Sequence, residues 1–152
     1  DIPIALILDQ YMEYIEQMRQ MRQSLLMLHG EIRYTGAELP EAISETAGRC
    51  GKPFSDFYET LSEQMRQMTG QTLKILWQEC AVQYLKEDQK IFLDLGNQMG
   101  YLDSQMQLSA LEGCMALLED RMTCLEKSLA QKQKLSMTLG ILSGFFVMVL
   151  LI

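Results

Sequence analysis

The chain has 152 residues, 48% of them hydrophobic and 22% charged, with a formal net charge of −7. That length suits one real core and argues against a second domain. The charge is unevenly placed: residues 121–134 carry Arg121, Lys127, Lys132 and Lys134 against Glu126, so the first 120 residues sum to ten negative charges. This argues against a nucleic-acid surface there and favours basic partners.

Residues 1–8 hold the short apolar run Ile2 to Leu8, too short to span a bilayer alone. It reads as an interfacial or packing segment, or as a sign that upstream sequence is missing. From Tyr11, the residues Tyr11, Tyr14, Met18, Met21, Leu25, Leu28 and Ile32 step by three and four, which predicts a long amphipathic helix from about Asp9 to Tyr34. Thr35-Gly36-Ala37 breaks it, and Pro40 opens a short helix to about Arg49. Phe54, Phe57, Leu61, Met65 and Met68 mark a third helix, Leu73, Leu76, Trp77, Cys80 and Tyr84 a fourth, and Phe92, Leu95, Met99 and Leu102 a fifth.

The sixth helix has the clearest seam, Leu108, Leu111, Met115, Leu118, Met122, Leu125 and Leu129, and no proline separates it from the tail. The tail, Leu135 to Ile152, is uncharged over 18 residues, roughly 27 Å of helix against a hydrocarbon core near 30 Å. The expected fold is therefore all-α. A compact bundle of about six helices over residues 9–134 is followed by a transmembrane helix, 135–152, that continues the last soluble one. The lysines before the tail put the bundle on the cytoplasmic side, and Ser136, Gly140 and Gly144 form a small-residue stripe suited to packing of membrane helices.

Chemistry is scarce. Cys50, Cys80, Cys114 and Cys124 lack metal or redox spacing and read as reduced core thiols. The only histidine, His29, has no HxxxH or ExxH partner, and no phosphate-binding glycine loop is present. No catalytic residues, metal ligands or cofactor are expected. Glu31, Glu38, Glu41 and Glu45 surround the first helix junction, where solvated faces and a helix N-terminus explain them better than acid–base work.

Several blocks go beyond a generic bundle: Glu31-Ile32-Arg33-Tyr34, Leu39-Pro40-Glu41-Ala42, Trp77, Leu85-Lys86-Glu87-Asp88, and LGNQMGYLDSQMQ from Leu95 to Gln107, followed by the tail motif LGILSG. In this order they resemble the stage III sporulation protein AB family of endospore-forming bacteria. The resemblance implies a place in the mother-cell membrane facing the engulfed forespore, and makes residues 1–8 the remnant of the membrane helix with which members of that family usually begin. It also implies likeness to the inner-membrane platform proteins of type II secretion and type IV pilus machines, with a sibling ATPase from the same operon and other membrane proteins of the complex as partners, besides membrane lipid.

Candidate partner residues at the first junction are Glu31, Arg33, Tyr34 and Glu41. Pro40 and Trp77 belong to the motif blocks, as does a second junction of Asp88, Gly96, Gly100, Asp103 and Gln107. There internal roles are expected: Gly96 and Gly100 for close packing, Asp103 as a helix N-cap and Asp88 as a first-turn acid. Competing readings are a scaffold that self-associates through the Leu108 to Leu129 seam and the Gly140/Gly144 stripe, and a regulator whose Glu31 and Glu41 bind a cation.

Overall fold

The computed structural model describes residues 3–67, 70–85, 90–100 and 103–152. Every regular element among them is helical: α1 Ile4–Gly30, a π-helical turn Glu31–Thr35, α2 Leu39–Ala47, α3 Phe54–Arg66, α4 Leu73–Tyr84, α5 Lys90–Gln98 and α6 Ser104–Leu151. The all-α class, the six helices and the unbroken run of the last one into the apolar tail agree with the hydrophobic periodicity. Two boundaries differ. α1 starts at Ile4, before Asp9, because the apolar run is itself made of helix-compatible residues. It ends at Gly30, and the chain widens there into the π turn, where Thr35 Oγ1 donates to the Glu31 carbonyl.

Local chemistry sets the other ends. Gly36 follows the π turn at φ 64°, the left-handed conformation that stops a helix, and Pro40 sits in the first turn of α2. Thr72 caps α4 by accepting from the Ile75 N–H, and Asp103 caps α6 by accepting from the Gln105 N–H at 2.9 Å.

The chain forms two compact units, and α1 and α6 contribute to both. In the unit Gln20–Glu119, Met21, Leu25 and Leu28 of α1 and Leu111 and Leu118 of α6 are buried, as are the inner faces of α2 to α5. Phe57 is central, its ring 5.0 Å from Tyr58 and 5.1 Å from both Trp77 and Phe92 in edge-on contacts. Such pairs add about 0.5–1.5 kcal/mol each beyond the area they bury. His29, buried, meets Glu112 through Nε2 at 2.9 Å, which ties α1 to α6. The seam of α6 from Leu111 to Leu118 is thus internal to the chain. These apolar side chains are already covered within the chain, whereas Leu108, Leu125 and Leu129 of the same seam are half-buried.

The other unit joins Asp1–Arg19 to Asp120–Ile152. Ile15, Met18 and Met122 are buried in it, Arg19 bonds Glu16 and reaches Glu126 at 3.4 Å, and Lys132 lies over the Tyr11 ring at 3.7 Å. The most apolar 18-residue stretch of α6 has a mean hydropathy of 1.9 and is 0% buried. A helix this apolar and uncovered is long enough to cross a membrane, consistent with membrane association.

An acidic groove at the first helix junction

The candidate site is built where the chain turns from α1 into α2. Opening the helix into a π turn drops Glu31 inward, where only 5% of its surface is exposed. Burial of a carboxylate needs a partner, and Arg49, just past α2, supplies it: Nη1 stands 2.7 Å from Glu31 Oε1. The ion pair closes the segment 31–49 around α2. Thr35 Oγ1 also receives the Ala37 N–H at 3.2 Å, which fixes the turn between the two helices.

Around this clasp lies an open groove of about 980 Å³, lined by Glu31, Glu38, Glu41, Glu45, Arg49 and Arg66 with the small residues of the turn. Four glutamates and two arginines line it, and Glu38, Glu41 and Glu45 are exposed. Glu31 is neutralised by Arg49, so the free negative charge sits on the α2 side. The groove can receive cationic side chains. Among the described residues, no group of three or more His, Cys, Asp or Glu could hold a metal ion.

Glu31 and Glu41, both singled out in the sequence, line this groove. Arg33 and Tyr34 do not: the Arg33 guanidinium lies 5.5 Å from the Tyr34 ring, and Tyr34 is 80% exposed. Glu31 is a buried ion-pair partner and not an exposed contact, because the π turn aims it under α2. Arg49 and Arg66 escaped sequence reasoning. Arg49 carried one weak signal, a lone cation beside Gly48 and Gly51 after an acidic helix.

At the second junction the described residues make contacts within the chain. Trp77 is fully buried, its Nε1 donates to the Phe92 carbonyl at 2.9 Å, and Gly96 packs directly on it. Asp103 caps α6, and Gln107 is buried on the first turns of that helix. Gly100 departs from expectation. Among the described residues a Cβ there would meet nothing within 4 Å, and the residue is not in the left-handed region. Asp88 lies outside the described residues. In the apolar part of α6, Ser136 is half-buried, and nothing among the described residues approaches Gly140 or Gly144.

The thiols also divide. Burial pushes Cys80 up to about 11 and Cys114 up to about 12, and raises half-buried Cys50. Cys124 is exposed, against the expectation of a core thiol, because it faces away from the Leu118, Met122 and Leu125 seam.

The family described as stage III sporulation protein AB matches residues 5–152. The chain belongs to the stage III sporulation protein AB family. A protein of that name from Bacillus subtilis (strain 168) is 26% identical over 148 residues, covering 93% of this chain and 85% of its own. A solved structure of stage III sporulation protein AB superposes with a TM-score of 0.66 at 22% identity, covering 78% of this chain and 97% of its own. The family name marks a sporulation component, and the superposition supports the helical fold.

Proposed function

We propose that this sporulation protein is a non-enzymatic membrane platform that couples a partner ATPase to the complex joining mother cell and forespore. The bundle, residues 9–134, stands on the cytoplasmic side of the mother-cell membrane, and residues 135–152 span it. The observation that carries this reading is the groove at the first junction. Exposed Glu38, Glu41 and Glu45 surround a pre-formed, charge-paired clasp, a surface suited to basic loops of a partner. The basic flank before the tail supports the orientation.

The test is a pull-down of the full chain in detergent against the ATPase encoded beside it. Glu41→Lys with Glu45→Lys is the informative variant, since both positions are exposed and leave the Glu31–Arg49 clasp intact. Binding that is lost in the variant, and that weakens with salt, supports the coupling reading. No binding by the native chain at low salt sinks it.

A further inference from the structure

The face of α6 turned away from its seam has a composition of its own. Lys127, Lys134, Ile141 and Met148 are spaced by seven, so each step turns the helix by only about 20° and all four share one side, joined by Phe145. Both lysines are exposed, and Ile141, Phe145 and Met148 are 69%, 67% and 64% exposed. Among the described residues neither lysine has an ion-pair partner. Glu126, the nearest carboxylate in sequence, faces Arg19. Lys134 is the last charge before the apolar stretch.

We propose that this face is a binding site for an anionic phospholipid, with the headgroup at Lys134 and Lys127 and an acyl chain along Ile141, Phe145 and Met148. The inference rests on the reading that the apolar end of α6 lies in a bilayer. The two lysines are about 10.5 Å apart along the helix, so Lys127 stays within about one Debye length of a headgroup at Lys134. Its flexible stem can bring the ammonium closer still. A zwitterionic headgroup carries its own cation and gains little from two more, whereas a headgroup without one is held by both. The chain as a whole carries −7 and repels an anionic surface, so a preference for anionic lipid must come from cations beside the apolar stretch; of these, Lys132 is engaged over the Tyr11 ring, which leaves Lys134 and Lys127 for the headgroup.

The test uses the full chain in nanodiscs of equimolar phosphatidylglycerol and phosphatidylcholine, with retained lipids counted by native mass spectrometry after mild delipidation. Phosphatidylglycerol should be enriched on the order of tenfold. Lys127→Gln with Lys134→Gln should bring retention to parity, and the double arginine variant should keep the enrichment. Excess glycerol 3-phosphate should not displace the lipid, because it offers nothing to the apolar half of the site. Equal retention of the two lipids by the native chain would overturn the proposal, as would enrichment that survives the glutamine variant or displacement by glycerol 3-phosphate. A chain that fails to enter the discs would overturn the membrane reading, and this site with it.

Discussion

Gly96 lies against the indole of Trp77 so closely that a Cβ at position 96 would stand 2.6 Å from its Cγ. The contact lets α5 approach α4 while Trp77 donates to Phe92. Gly96→Ala must therefore push the two helices apart and disturb the aromatic cluster. The expected cost is about 1–3 kcal/mol, read from urea unfolding followed by the fluorescence of the single tryptophan. An unchanged midpoint would refute the close packing.

The Glu31–Arg49 pair predicts a coupled loss. Breaking a wholly buried pair costs about 3–5 kcal/mol, but Arg49 is 61% exposed, and water screens much of that. Arg49→Met should destabilise by about 1–2 kcal/mol, and Glu31→Gln should then add little on top of it. A double-mutant cycle with no coupling energy would show that the clasp does not hold the segment around α2.

The elements differ in how plainly the sequence encodes them. Helices α3 to α6 were legible because their apolar steps and terminal signals coincide; Asp103 before Ser104 fixed the start of α6. The π turn was not, since the same spacing serves an α-helix and only the packing of Glu31 against Arg49 distinguishes them. Trp77 and Gly96 both stood out in sequence, yet their mutual contact depends on how α4 and α5 cross. Arg66 reaches the groove by the fold alone, from the far end of α3, and no local pattern links it to Glu41.

Thiol chemistry should separate the four cysteines. At pH 8, exposed Cys124 should be alkylated first, while Cys80 and Cys114 stay protected by burial and by their raised pKa values of about 11 and 12. The folded state holds these protons above the ordinary value of 9.0, so stability is full below pH 9 and falls as pH rises beyond it. Thermal unfolding between pH 8 and 11 checks this, and Cys114→Ala should flatten the decline.

Gly36 tests the turn into α2. Its φ of 64° occurs in open space, so Gly36→Ala meets no clash and costs only the strain of the left-handed conformation, about 1–2 kcal/mol. Gly36→Asn should cost less. Equal losses for the two would point to a different cause.

Leu118 distinguishes core from interface. It is 1% exposed, and Leu118→Lys should abolish cooperative unfolding instead of yielding a folded monomer. Circular dichroism with sedimentation separates the outcomes.

The unbroken course of α6 limits how its length can vary. One residue inserted between Lys127 and Lys132 would rotate everything after it by about 100°, turning Ile141 and Phe145 away from the side that Lys127 occupies and swinging Gly140 round with them. Seven inserted residues would restore the facing to within about 20° while lengthening the helix by about 10 Å. Natural length changes in this segment should therefore come in heptads, and a frame of single-residue insertions would map, by its failures, where side matters along the helix.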